Sequence, residues 1–128
     1  MNEMDGHDVE DLHVGMRATF SKTITEADIV LFAGVSGDNN AMHVNEEFAA
    51  TTRFGGRIAH GFLTASVISA AVANRLPGPG TIYLSQQLNF RAPVGPARRC
   101  MPSSASVRST ASAAASRWTQ SAALARRW

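Results

Sequence analysis

Two side chains that could share a proton lie five residues apart, the carboxylate of Asp38 and the imidazole of His43. A carboxylate and an imidazole held close together can bind a water molecule between them and move protons near neutral pH. The segment between them is rich in Asn, and glycines precede it, which predicts a turn-rich loop. A single Asp and His in a loop are more often a helix cap and a surface histidine. The pair alone is therefore a weak signal.

A second feature with chemical potential is Gly61, which stands at the start of a long apolar segment. The first amide groups of a helix carry partial positive charge and can polarise a carbonyl oxygen. Residues 60–76 are apolar on almost every side of a helical projection, which predicts a buried helix. His60, directly before Gly61, is interpreted as a structural histidine rather than a second catalyst.

The elements that must position these residues can be predicted from local patterns. Residues 16–24 alternate as a strand does, and Thr25 with Asp28 forms a capping box that starts the next helix. That helix is expected to end at residues 34–37 and to deliver Asp38 into the loop. Asn45 is expected to cap a short helix. After the buried helix, residues 81–94 alternate again and are predicted to form a strand.

Residues 32–49 resemble the signature of the MaoC-like (R)-specific enoyl-CoA hydratases. The matching positions are Phe32, Ser36, Gly37, Asp38, Asn39, Asn40, His43 and Ala49. Two positions depart from it, because Ala41 stands where proline is usual and Met42 where a branched aliphatic residue is usual. The loss of proline loosens the backbone but removes no reacting group. The resemblance extends over residues 11–94.

The resemblance implies an α+β hot-dog fold, in which an antiparallel sheet wraps around a central helix. It implies hydration of a trans-2-enoyl-CoA to an (R)-3-hydroxyacyl-CoA, and the reverse dehydration, in fatty-acid or polyhydroxyalkanoate metabolism. Asp38 and His43 would be catalytic, and the Gly61 amide would bind the thioester carbonyl. Ser66 and Asn40 would assist in substrate binding. The resemblance implies no metal and no cofactor, since coenzyme A is part of the substrate, and it implies a homodimer.

Alternatives stay open at several of these positions. Ser66 could instead bond back to a carbonyl of its own helix, and Asn40 could serve only as a turn former. A hot-dog acyl-CoA thioesterase is a second enzyme reading, although an Asp paired with a His in this signature favours hydration. A third is an inactive, truncated remnant of a hydratase.

Charge is distributed unevenly along the chain, whose net charge is +2. All ten acidic residues lie at or before Glu47, whereas residues 95–128 hold six arginines and no acid. The basic character belongs to the tail and is a poor sign of nucleic-acid binding.

The sequence holds no apolar stretch near the ~18 residues of a membrane span, and the single Cys100 excludes an internal disulfide framework. We expect a cytoplasmic protein.

Residues 95–128 break the pattern, because they are rich in Ala, Ser and Arg and lack strand alternation. They are predicted to be irregular or to form a loose helix over residues 111–128. A native tail or an amphipathic anchor would also fit, but we favour a reading-frame change just before Gly95. If one nucleotide is restored there, Met101 and Pro102 force an alanine codon, and Trp118 and Thr119 force an aspartate codon. The remaining codons then permit strand-like sequences. Residues 1–10 are predicted to be a flexible arm.

Overall fold

The structure is a computed structural model that describes residues 6–83, 86–97, 104–110 and 119–123. A short 3-10 turn, Val9–Asp11, precedes seven elements in this order. They are β1 (Arg17–Thr23), α1 (Glu26–Ser36), α2 (Ala41–Val44), α3 (Glu46–Ala50), α4 (Gly61–Asn74), β2 (Ser104–Thr110) and β3 (Thr119–Ala123). The α+β class predicted from the sequence is confirmed.

Helix α1 begins and ends as its sequence predicts. The Thr25 hydroxyl accepts from the Asp28 N–H, and the Asp28 carboxylate accepts from the Thr25 N–H at 2.8 Å, which completes the capping box. At the other end, Gly37 takes a left-handed conformation with φ of 75° and donates its N–H to the Ala33 carbonyl. A side chain is disfavoured in that conformation, so glycine permits the sharp exit that leads to Asp38.

The sheet has three antiparallel strands in the order β1-β2-β3 within the described part of the chain. In the first ladder Arg17 pairs with Thr110 and Thr23 with Ser104, and in the second Ser106 pairs with Ala123. The prediction that everything beyond Val94 is irregular or helical is therefore wrong for residues 104–110 and 119–123. The physical reason is that β1 offers a row of backbone donors and acceptors, which pair with any extended segment regardless of side-chain pattern.

The strand predicted for residues 81–94 is also wrong for the residues that the structure describes there, 81–83 and 86–94. Alternation favours an extended chain, but a strand needs a backbone partner along its length. Near the end of this segment the Ala59 N–H donates to the Val94 carbonyl at 2.6 Å, and just beyond it the Ala97 N–H donates to the Ile24 carbonyl at 2.8 Å.

Helix α4 is the centre of the core. Its buried residues pack with β1, α1 and Val94, and Phe20, Phe32 and Leu88 cover the edge of this cluster. The buried members are Ile24, Ile29, Ala59, Leu63, Val67, Ile68, Ala71, Val72 and Val94. The prediction of a buried helix holds for one side of α4 only, because Phe62 is 69% exposed and Ser66, Ser69 and Ala73 are exposed along the same face. The elements around α4 cover only its other face.

The ends of the chain are described in part. The flexible arm predicted for residues 1–10 lies partly outside the described residues, and from Gly6 onward the chain contacts the turn after α4. There the His7 N–H donates to the Pro77 carbonyl at 2.8 Å. The basic helix predicted for residues 111–128 lies outside the described residues except where β3 replaces it. Cys100 also lies outside them. No helix in the described ranges is long and apolar enough to cross a membrane.

Candidate active site

Asp38 follows the glycine that ends α1, and its surroundings orient both its backbone and its carboxylate. The Asp38 N–H donates to the Ser36 hydroxyl at 3.1 Å, and the Asn40 N–H donates to Asp38 Oδ1 at 3.3 Å. This local turn is typical of aspartate, whose short side chain bonds to the backbone two residues later. It leaves Oδ2 as the oxygen that faces His43, and the Asp38 side chain is 51% exposed.

His43 lies on the single-turn helix α2, so the prediction of a loop holds for Asp38 but is wrong for His43. Asn40 caps α2 by accepting from the Met42 N–H at 3.1 Å. Ala41 is the first helical residue, a position that proline favours because its fixed φ suits a helix start. The departure from the signature at Ala41 therefore leaves α2 intact.

The imidazole of His43 is fixed by a backbone carbonyl. Its Nδ1 lies 2.8 Å from the Ile58 oxygen, which can only accept, so Nδ1 carries the proton in this bond. In the neutral ring Nε2 is then an acceptor. It lies 3.9 Å from Asp38 Oδ2, and the His43 side chain is only 12% exposed.

The Asp38–His43 pair predicted from sequence is thus brought together with two acceptor atoms facing one another. A separation of 3.9 Å is too long for a direct hydrogen bond. It matches the span over which one water molecule can donate a hydrogen bond to each acceptor. Such an arrangement can hold a water molecule and remove a proton from it.

His60 joins this pair, which the sequence did not reveal. Its Nε2 donates to the Asp38 backbone carbonyl at 2.9 Å, and its ring stacks on His43 with centroids 3.9 Å apart. The contact spans 22 residues along the chain, so no local spacing could signal it. The one available hint was that His60 stands directly before the helix that carries Gly61.

The donors of Asp38, His43 and His60 lie within 4.8 Å of one another and are the one possible metal-ligand group found among the described residues. Two of their ring nitrogens are already bonded to carbonyls, at Ile58 and Asp38. The two rings stack with 30° between their planes, so their in-plane lone pairs run side by side rather than converging on one ion. Tetrahedral coordination needs converging donors, and this group does not fit it well.

Gly61 is the first residue of α4, as predicted, with His60 as the residue before the helix. A Cβ atom at Gly61 would lie 3.2 Å from the Phe90 ring, so the aromatic ring approaches the backbone closely here. The ring of Phe62 is a further neighbour of Phe90, at 6.4 Å between centroids. The absence of a side chain at Gly61 therefore leaves room for the Phe90 ring beside the first residue of α4.

Ser66 and Asn40 were predicted to assist in substrate binding. The Ser66 hydroxyl donates to the Leu63 carbonyl at 2.6 Å within its own helix. Asn40 uses its side-chain oxygen to cap α2. Both side chains thus make the local bonds that were the alternatives to substrate contact, and their roles in binding stay predictions.

Arg57 joins three segments next to the site, and the sequence patterns did not reveal it. Its guanidinium bonds Glu26 at the start of α1 at 2.7 Å and Glu46 at the start of α3 at 3.0 Å. The bonds to Glu26 and then Glu46 raise the pKa of Arg57 above its usual range. Arg57 directly precedes Ile58, so this clamp anchors the chain one residue before the carbonyl that bonds His43.

Comparison with known proteins finds related sequences. The pattern of the family described as "MaoC like domain" matches residues 11–121. The (R)-specific enoyl-CoA hydratase of Rhodospirillum rubrum is 57% identical over 88 residues, which cover 69% of this chain and 61% of that protein. The 3-hydroxybutyryl-CoA dehydratase of Methylorubrum extorquens is 56% identical over 85 residues, covering 66% of this chain and 54% of that protein.

Solved structures give the same result. Unliganded R-hydratase PhaJ1 from Pseudomonas aeruginosa superimposes with a TM-score of 0.74 at 45% identity, over 82% of this chain and 64% of that one. The (R)-hydratase from Aeromonas caviae involved in PHA biosynthesis gives a TM-score of 0.71 at 38% identity, over 79% of this chain and 73% of that one. The chain spans less than two thirds of the length of the two curated relatives named above.

Proposed function

Because this chain belongs to the family of MaoC like domains, we propose that it hydrates a trans-2-enoyl-CoA to an (R)-3-hydroxyacyl-CoA and catalyses the reverse dehydration. The observation that carries the proposal is the facing pair Asp38 Oδ2 and His43 Nε2, 3.9 Å apart. Relatives named as an (R)-specific enoyl-CoA hydratase and a 3-hydroxybutyryl-CoA dehydratase support the same reaction. We propose fatty-acid or polyhydroxyalkanoate metabolism as its setting.

The pair acts on the water that is added. A water molecule donates one O–H to Asp38 Oδ2 and the other to His43 Nε2, which orients its oxygen toward C3 of the substrate. As the C3–O bond forms, one acceptor removes a proton, and the pair delivers a proton to C2, so that water adds across the double bond. Positioned acid–base groups of this kind contribute about 10²–10⁴-fold in rate.

The thioester carbonyl must be polarised for C3 to accept the water. The amide of Gly61, at the start of α4, is our candidate donor, since charge develops on that oxygen in the transition state. Asn40 and Ser66 assist substrate binding in this proposal. Asn40 does so by capping α2, and Ser66 by lying on the exposed face of α4.

Assembly is part of the proposal as well. We propose that a complete hot-dog sheet surrounds α4, which extends what the fold likeness supports. We also propose that the protein is a homodimer in a reducing cytoplasm. Residues 11–94 would form the hydratase domain. The tail after Val94 would derive from a reading-frame change, which the forced alanine and aspartate codons support.

The decisive experiment measures hydration of crotonyl-CoA by the loss of its enoyl absorbance, with chiral analysis of the product. It uses this chain and a version with one base restored before the Gly95 codon. Asp38→Asn is expected to lower kcat by at least ~10²-fold, while Asp8→Asn, at an exposed position outside the site, is expected to change nothing. Release of free coenzyme A without hydration would indicate a thioesterase, and absence of both activities in both versions would refute the proposal.

A further inference from the structure

His60 is a buried histidine whose side chain bonds a residue outside the helix that it precedes. It occupies the capping position of α4, yet its side chain makes no capping bond and is 2% exposed. Its Nε2 instead donates to the Asp38 carbonyl at 2.9 Å. Its Nδ1 is buried and has no hydrogen-bond partner in the described part of the chain.

The same ring contacts two others. His43 stacks on it at 3.9 Å between centroids, and Phe32 packs against it at 4.9 Å with 54° between the planes. His43 is therefore held at its edge by the Ile58 carbonyl and over its face by His60. Histidine at position 60 touches both members of the facing pair, through a backbone bond on one side and a ring contact on the other.

We propose that His60 is a positioning residue for the water-holding pair, a role that rests on the function proposed above. Asp38 leaves α1 through the left-handed Gly37, and its side chain is half exposed. The bond from His60 restrains the peptide unit on the far side of Asp38, opposite the restraint from Ser36. Without it the peptide unit can rotate and swing the carboxylate away from His43.

Substitution of His60 by glutamine or by asparagine distinguishes the positioning role from simple filling of the buried space. The amide nitrogen of glutamine reaches the position of histidine Nε2, whereas that of asparagine reaches the position of Nδ1. His60→Gln therefore keeps a donor for the Asp38 carbonyl, and His60→Asn places its donor where the structure shows no partner. Both variants bury one primary amide and lose the same ring, so they are matched.

We expect His60→Gln to keep most of the kcat for crotonyl-CoA and His60→Asn to lose at least ~10-fold, since about 1 Å of misplacement can cost ~100-fold. KM is expected to stay unchanged, because His60 binds Asp38 rather than substrate. Thermal melts check that both variants fold. Equal kcat values in the two folded variants, whether high or low, would overturn the proposal.

A measurement without substrate separates this proposal from the proposed function. In a spectrum of the ¹⁵N-labelled imidazoles of the unaltered chain, Nε2 of His60 must carry its proton, and a proton on Nδ1 would overturn the assignment. If the unaltered chain hydrates no enoyl-CoA, the proposed function fails. The positioning role is then tested by the chemical shifts of the His43 ring nitrogens. These shifts must change less in His60→Gln than in His60→Asn, relative to the unaltered chain.

Discussion

His43 Nδ1 donates a hydrogen bond to the backbone carbonyl of Ile58 at 2.8 Å. The two residues lie 15 positions apart, so the bond joins α2 to the connector before α4. A carbonyl can only accept, so it selects the tautomer in which Nε2 faces Asp38 as an acceptor. The orientation of the His43 ring is in this way set by a main-chain atom, which side-chain substitution at Ile58 does not remove.

Two substitutions at His43 separate its structural bond from its chemistry. His43→Asn places an amide donor near the position of Nδ1 and can keep the Ile58 bond, while His43→Gln places its donor near Nε2. We expect both to lower kcat by at least ~10²-fold, because neither amide accepts a proton. We expect His43→Asn to be the more stable of the two by about 1 kcal/mol in urea unfolding. Near-normal turnover by either variant would contradict the assignment of His43.

The backbone amide of Gly61 can be removed by proline at a position that tolerates it. Gly61 is the first residue of α4, and the ψ of 137° at His60 suits a residue before proline. We expect Gly61→Pro to lower kcat by about 10²–10³-fold, as loss of one oxyanion donor does. Gly61→Ala is the matched control, since it brings the same Cβ toward Phe90 but keeps the N–H. If the two variants turn over equally, with unchanged circular dichroism, the amide has no such role.

The turn that delivers Asp38 depends on Gly37. Its φ of 75° disfavours any side chain, although a Cβ there would meet no atom within 4 Å. We expect Gly37→Ala to lower the free energy of unfolding by about 1–2 kcal/mol. Gly34 lies inside α1, where a Cβ also meets nothing, so Gly34→Ala should raise the free energy of unfolding by about 0.5–1 kcal/mol. Equal effects of the two substitutions would show that the left-handed conformation is not retained in solution.

The acid sensitivity of α1 should trace to Asp28. A hydrogen bond from Lys22 at 2.7 Å, followed by that from the Thr25 N–H, lowers the pKa of Asp28 below its ordinary value of 3.8. Its stabilisation is therefore present above that value and is lost as the pH falls through the lower folded-state pKa. Asp28→Asn should cost about 0.5–1 kcal/mol at pH 7. The difference should shrink below pH 3.8. A pH-independent difference in urea unfolding would contradict this account.

The Arg57 clamp should affect both stability and catalysis. Its side chain is 14% exposed and bonds Glu26 and Glu46, which are about half exposed. Arg57→Met should lower the free energy of unfolding by roughly 1–2 kcal/mol, between the values for exposed pairs and for buried charge-assisted bonds. The kcat should fall too, since Ile58 is the next residue. The exposed Arg91 serves as control, and Arg91→Met should change unfolding by no more than ~0.5 kcal/mol.

Local elements with their own start and stop signals could be predicted from the sequence. Thr25 with Asp28 marks the start of α1, Gly37 its end and Asn45 the start of α3, because each acts on a backbone group within a few residues. The pairing of Asp38 with His43 is of the same kind, since both lie in one short segment. The motif of residues 32–49 led to the prediction of this pair, and the structure shows the two side chains close together.

Features that depend on distant partners could not be predicted. The bonds of His60 and Arg57 connect segments whose separation in the sequence carries no signal. The alternating residues 81–94 look like a strand, yet pairing depends on which other segment reaches them. Conversely, Ser104–Thr110 has only a short apolar alternation, at Ala105 and Val107, and still pairs with β1, because backbone groups supply the ladder.

The register that pairs Arg17 with Thr110 closes a loop around nearly all of the described chain, with all four helices inside it. Contacts within α1, α2 and α3 join near neighbours and form early, whereas closing so long a loop carries a larger entropic cost and is slower. During synthesis, Asp38 and His43 can therefore meet before β2 has been made. The part of α4 that contacts β2 and β3 stays open to solvent until those strands have been made, and that interval is when the nascent chain is most prone to aggregate.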